Sequence, residues 1–223
     1  MSRGGLLVIF ILPMKEIKPT QKQRTLDERR VDPNPIKQFQ QWYEEAVAAN
    51  QPMPDAMTLA TSTHDGRPSA RVVLLKGVTQ EGFVFFTNYN SRKSKELVEN
   101  PRASLVFYWP ELLRQVRVDG TVDQVTAEES DAYFQTRPRD SQIGALVSPQ
   151  SQIITSREEL ERKAAELAKL YEHRSIPRPP HWGGYRLKPI SIEFWQWREA
   201  RLHDRILYEL QKNGGWKISR LAP

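Results

Sequence analysis

The chain has 223 residues, 39% hydrophobic and 27% charged, with no cysteine and a net charge of +6. That length suits one large domain or two small ones with a sizeable core. Without cysteine there are no disulfides, no thiol catalysis and no thiolate-held zinc or iron–sulfur centre. The four histidines (His64, His173, His181, His203) form no HExxH pair, so no metal is expected.

Residues 4–12 form an apolar run after Arg3, well short of the ~20 residues that span a bilayer. No small-x-small cleavage site follows, and Met14 is an alternative start. Residues 1–30 are expected to be a flexible arm and 31–223 a single domain. Ile36, Phe39, Trp42, Tyr43, Ala46 and Val47 recur at helical spacing, so 35–50 reads as a helix opened by Pro35. Strands follow at 56–63, 69–76 and 82–87, the first closed by the turn His64-Asp65-Gly66. Ser91 is placed to cap a helix over 92–99 that Pro101 ends. Strands resume at 103–109 and 113–125, with Gly120 marking a bulge or bend. Thr126 caps a helix over 127–136, and Arg137 is pushed out of helical geometry by Pro138. A charged helix over 156–173 carries the stripe Leu160, Ala164, Leu167, Tyr171. Strands at 190–197, 205–210 and 216–220 close the chain, the last two joined by Asn213-Gly214-Gly215. Hairpins dominate and no βαβ rhythm appears. The fold class is α+β, mainly an antiparallel barrel with peripheral helices.

No GxGxxG, GxxxxGK[ST] or GxSxG is present, which argues against Rossmann, P-loop and nucleophile-elbow chemistry. Four other groupings stand out. The segment YFQTRPRDSQIGALVSPQS at 133–151 collects Tyr133, Arg137, Arg139, Ser141, Gln150 and Ser151. It reads either as a polar helix end with a loop or as a cradle for a phosphorylated small molecule. Arg71 and Lys76 bracket a buried-looking strand, on opposite faces if that strand is regular. Arg92 and Lys93 sit where a helix dipole favours an anion. Arg201, His203 and Arg205 would share one face of an extended segment, near Trp195 and Trp197. The positive charge is dispersed along the strands, so no nucleic-acid surface and no membrane surface is expected.

The strings RVVLLK (71–76), FTNYNSRK (86–93), RQVRVDG (114–120), YFQTRPRDSQIGALVSPQS (133–151), FWQWREARLHDR (194–205) and WKISRLAP at the end together resemble the pyridoxine (pyridoxamine) 5′-phosphate oxidase family. The likeness runs from about residue 32 to the C-terminus. It implies an FMN-binding split β-barrel and a homodimer with FMN at the interface. Implied FMN contacts are Arg71, Val72, Val73, Leu74, Leu75, Lys76, Phe86, Thr87, Arg92, Lys93, Gln115, Gln150, Ser151, Trp195 and Arg205. Implied substrate contacts are Lys76, Tyr133, Arg137, Ser141, Arg201, Leu202 and His203, with Arg201 and His203 over the pyridine ring as the catalytic pair. The implied reaction moves a hydride from C4′ of pyridoxine or pyridoxamine 5′-phosphate to FMN, and O2 then yields H2O2. An Arg-x-x-Tyr lid element common in that family has no counterpart, since 15–31 contains no tyrosine. A flavin reductase of the same barrel and a non-catalytic FMN or pyridoxal-phosphate carrier are the alternatives. A reducing, cytoplasmic setting is expected.

Overall fold

Two side chains fix the start of the first helix, α1 (Pro35–Ala48). Pro35 sits in its first turn, and the Asn34 side chain accepts the N–H groups of Ile36 (2.9 Å) and Lys37 (3.3 Å). The helix then lays Ile36, Phe39, Trp42 and Ala46 against the sheet. These elements come from a computed structural model that describes residues 25–223.

Nine strands follow: β1 (Ala56–Ser62), β2 (Pro68–Leu74), β3 (Gly77–Thr79), β4 (Gly82–Asn88), β5 (Arg102–Trp109), β6 (Arg114–Gln124), β7 (Trp182–Gln196), β8 (Asp204–Leu210) and β9 (Trp216–Arg220). Helices α2 (Arg92–Glu99), α3 (Ala127–Thr136), α4 (Arg139–Val147) and α5 (Arg157–Leu170) lie between them. The strands pair antiparallel in the order β2-β1-β5-β6-β7-β4-β3, with β8 on β7 and β9 on β8. The split in the barrel is in β7. Its first half pairs with β4, through Leu187, and its second half with β8, from Ser191 onward. At that fork β6 shifts register between Asp119 and Gly120, opposite Pro189. A Cβ at Gly120 would lie 2.1 Å from the Lys188 carbonyl oxygen, so only glycine lets the two strands approach there.

The core is aromatic. Phe39 meets Phe83 edge-on and Phe107 at a tilt, each at 4.9 Å, and Trp42 meets Phe194 edge-on at 5.1 Å. A smaller cluster of Phe134, Ile143, Ala145, Ile176 and Trp182 joins α3 and α4 to the start of β7.

The expected elements are present, with four differences. β3 is a short extra strand between those expected at 69–76 and 82–87. β7 begins at Trp182 rather than 190, because Gly183 and Gly184 hide its strand pattern. α4 occupies what read as a loop; it starts directly after Pro138, without a side-chain cap. α5 ends at Leu170, and its apolar stripe is only half-buried. The arm expected over 1–30 falls mostly on 1–24, outside the described residues. Within the described part Leu26 is buried in the core, and its N–H donates to Asp204 (3.3 Å). No helix among the described residues is long and apolar enough to cross a membrane.

Candidate active site

A cleft of about 810 Å³ opens between β2, β4 and the α3–α4 corner. β2 supplies Arg71, Val72, Val73 and Leu74; β4 supplies Phe86, Thr87 and Asn88; α2 supplies Lys93. Across the cleft stand Tyr133, Arg137, Ser141 and Gln150, with Trp182 beside them. Lys76 lines the same space, although regular strand geometry would have turned it away from Arg71. The reason is that β2 ends at Leu74. Leu75 then bonds back to the Asp55 carbonyl (2.8 Å) and Lys76 to that of Val84 (2.8 Å), so the alternation is broken between the two cations.

Lys93 is 8% exposed. Its ammonium donates to Thr87 Oγ1 (2.9 Å), Ser91 Oγ (3.1 Å) and Gln150 Oε1 (3.1 Å), all neutral. Burial, reinforced by nearby Arg71, pulls its pKa down to about 8. Ser91, the expected cap of α2, makes no capping bond and instead holds Lys93. Arg92, whose position at a helix start looked unfavourable, is answered one turn on by Glu96 (2.8 Å).

Arg137 takes the extended conformation expected before Pro138 (φ −74°, ψ 147°). Its guanidinium lies over the Trp182 ring at 4.6 Å, and burial lowers its pKa. Its Nη1 is buried and has no hydrogen-bond partner among the described residues. Tyr133 stacks on Phe86 with centroids 4.0 Å apart, which aligns that wall. Arg139 points elsewhere. It donates to the carbonyls of Tyr171 (2.5 Å) and Arg174 (3.2 Å), closing the C-terminal end of α5.

The remaining candidates form a second group at the far end of β7. Gln115, Trp195 and Arg205 are cross-strand neighbours in register on one face. The His203 ring packs on Trp195 at 4.7 Å. Residues 199–201 form a tight turn with Ala200 and Arg201 at φ 53° and 59°. The single extended face expected for Arg201, His203 and Arg205 is therefore absent, because the turn breaks the alternation. Arg205 instead donates to Glu193 (2.7 Å) and to the Ala222 carbonyl (2.9 Å). His203 Nδ1 accepts the Arg198 N–H (3.0 Å), which leaves the hydrogen of the neutral ring on Nε2. Burial first, and then the Arg201 charge, lowers its pKa. Leu202 is exposed and Leu75 is buried, and none of Leu75, Arg92 and Ser151, the last at φ 69°, lines the cleft.

Trp182 lines the cleft and Trp195 sits thirteen positions further along the same strand. At about 3.3 Å per residue that is roughly 40 Å of strand. Trp182, Asn88 and Thr136 line the cleft without having been singled out from the sequence. Asn88 lay in plain view inside FTNYNSRK; Trp182 carried no signal because its strand was not read.

Residues 43–171 match the family described as pyridoxamine 5′-phosphate oxidase, and residues 182–223 match the pyridoxine 5′-phosphate oxidase C-terminal dimerisation region. The chain belongs to the pyridoxamine 5′-phosphate oxidase family. It is accordingly an oxidoreductase of the flavoprotein type. Among relatives of this family, a pyridoxine/pyridoxamine 5′-phosphate oxidase of Nostoc sp. is 59% identical, covering 89% of this chain and 92% of its own. One of Rubrobacter xylanophilus is 60% identical, covering 89% and 91%. A crystal structure of PhzG from Burkholderia lata, in complex with tetrahydrophenazine-1-carboxylic acid, superposes with a TM-score of 0.84 at 36% identity, covering 88% of this chain and 96% of that one. A pyridoxamine 5′-phosphate oxidase-related, FMN-binding protein of Nostoc punctiforme shares the fold (TM-score 0.67, 18% identity, 83% and 97% covered).

Proposed function

We propose that the chain is an FMN-dependent oxidase that converts pyridoxine or pyridoxamine 5′-phosphate to pyridoxal 5′-phosphate, working as a homodimer with composite sites. The observation that carries this reading is the charge state of the cleft. Lys93 is buried among neutral oxygens, and Arg137 holds a buried donor without a partner. Two such cations in one cleft suit two phosphates, one of the flavin and one of the substrate.

FMN, when bound, supplies the hydride acceptor for C4′ and the path to O2 that yields H2O2. Arg71, Arg92, Lys93, Thr87 and Gln150 would hold its phosphate end. Lys76, Tyr133, Arg137 and Ser141 would hold the substrate phosphate, with the orphaned Arg137 Nη1 donating to it. Arg201 and His203 would come from the second subunit, whose Trp195, Gln115 and Arg205 would close over the flavin. The Nε2 hydrogen on His203 would then face the pyridine as a donor. The distribution of candidates to the two ends of β7, together with the matched dimerisation region, supports this arrangement.

The test is direct. The purified full chain should be yellow and release H2O2 from both B6 phosphates. Colourless protein, or flavin bound without peroxide release, overturns the oxidase and favours a carrier. The compound held by the Burkholderia lata protein, tetrahydrophenazine-1-carboxylic acid, is the control. Turnover of that compound, and not of the B6 phosphates, overturns the substrate assignment.

A further inference from the structure

Behind the cleft wall lies a buried carboxylate that none of the roles above uses. Glu96, on α2, is 3% exposed. An acid beside an anion site repels the ligand, so its presence there calls for a compensating task. Its Oε2 accepts from Thr61 Oγ1 (2.5 Å), Ser69 Oγ (2.5 Å) and Arg71 (3.4 Å), and its Oε1 accepts from Arg92 Nε (2.8 Å). The same two hydroxyls receive Arg71: Nη1 donates to Thr61 (2.6 Å) and Nη2 to Ser69. Nη1 also donates to the Leu59 carbonyl (3.1 Å). One carboxylate therefore ties β1, β2 and α2 into a single knot that holds Arg71, which lines the cleft, and Arg92 next to the cleft residue Lys93. Burial alone would raise the Glu96 pKa, but hydrogen bonds from Ser69, Thr61 and Arg92 hold it at about 2, so it stays charged at any working pH.

We propose that Glu96 is a positioning residue for the flavin phosphate, holding Arg71 and Arg92 in their binding geometry before the ligand arrives. This rests on the flavin reading given above. An unrestrained arginine must lose its rotamer freedom when it binds, whereas one already fixed does not. Arg71, Arg92 and Lys93 less Glu96 also leave a net charge of about two, which matches the charge of a phosphate monoester.

Glu96→Gln separates positioning from simple electrostatics, because the two have opposite signs. Removing a nearby negative charge should tighten an anion; releasing the two arginines should loosen it. The full chain, freed of flavin, is titrated with FMN and with riboflavin, reading the quenching of flavin fluorescence. The FMN Kd should rise about tenfold while the riboflavin Kd stays within about twofold. Tighter FMN binding overturns the proposal, and so does an equal loss for both flavins, which marks a merely structural role. A wild-type chain without preference for FMN over riboflavin overturns the flavin-phosphate reading itself. In an Arg71→Gln background, Glu96→Gln should lose only the part carried by Arg92, clearly less than its effect in the wild type, and full additivity would refute action through Arg71. If Glu96→Gln does not fold, Glu96→Asp keeps the charge but withdraws the carboxylate by one methylene. It should show the same FMN-specific loss, and an unchanged FMN Kd overturns the idea.

Discussion

The cleft and the far end of β7 both gather cationic side chains, but they differ in what meets the cations that are taken out of water. In the cleft Arg71 has Glu96 and Lys76 has Asp55, yet Lys93 and Arg137 have no acid. Around Trp195, Arg205 and Arg117 share Glu193, and Arg198 and Arg220 share Asp204. In the cleft, Lys93 meets only neutral oxygens and Arg137 keeps a bare donor. An arginine matched by an acid fixes the structure around it. A buried cation without one destabilises the empty protein and is offset only when an anion binds. One end is thus built to hold shape for assembly, and the other to hold a charged ligand.

The largest test of that contrast asks whether the two ends serve one another across subunits. Arg137→Leu disables the cleft, and Arg201→Ala disables the far loop. Each homodimer should be nearly inactive at substrate concentrations below KM. Co-expression of the two should restore about a quarter of wild-type activity, since half of the dimers are mixed and each has one intact composite site. Sites complete within one chain would give no recovery.

Next comes Arg137 by itself. Arg137→Leu removes a charge-assisted donor to the substrate phosphate, so KM for pyridoxine 5′-phosphate should rise about tenfold to a hundredfold. Flavin content should be unchanged, and because the leucine has no donor to strand, the flavin-free protein should be no less stable. Loss of flavin would assign Arg137 to the other phosphate.

Lys93 gives a pH signature with two opposite consequences. Its folded pKa is depressed, from 10.5 to about 8, so the unfolded chain binds more protons between those values. Stability of the flavin-free protein should therefore rise as pH climbs from about 8 towards 10.5, and FMN affinity should fall over the same window. Lys93→Met should stabilise the flavin-free protein by about 1–2 kcal/mol at neutral pH while weakening FMN about tenfold. Urea titrations and fluorescence titrations at pH 7 and 9 check both; parallel changes in the two would refute the assignment.

How much of this was legible in the sequence follows the same division. Strands with alternating or apolar runs, such as 103–109 and 113–125, were readable because their side-chain period is a local property. The bulge at Gly120 was readable because glycine has few other reasons to interrupt a strand. α4 was not, since its sequence RDSQIGALV mixes polar residues with a glycine and its apolar Ile143 and Ala145 find their partners, Phe134 and Trp182, only in the tertiary fold. The first half of β7 was hidden by its glycines. At the site, residue types and the family likeness supplied the names, but not which charges go unmatched. Arg137 and Arg139 look alike in RPRD, and only the fold sends one into the cleft and the other to the end of α5. The turn at 199–201 likewise depends on positive φ at Ala200 and Arg201, which neither residue type announces.

That turn yields the smallest effect and the sharpest contrast with the cleft. Asp204 joins Arg198 (2.7 Å), Arg220 (2.8 Å) and the Leu26 N–H (3.3 Å), so it closes the 198–204 loop and fastens the segment before α1. Burial would raise its pKa, but the bonds from Arg198 and Arg220 outweigh that and lower it. A depressed carboxyl contributes stability that is present above its unfolded pKa and is lost as pH falls through the folded one. Asp204→Asn should cost about 1–2 kcal/mol at pH 7, and the deficit should shrink in acid as the wild-type carboxyl is protonated. Because Arg220 retains Glu28 (2.6 Å), the loss should stay within that range. Flavin affinity should change by less than turnover, since the residues assigned to the flavin phosphate lie at the other end of β7, while turnover falls severalfold through the loosened Arg201 and His203. Equal damage to flavin binding would show that the two ends are not separable within one subunit.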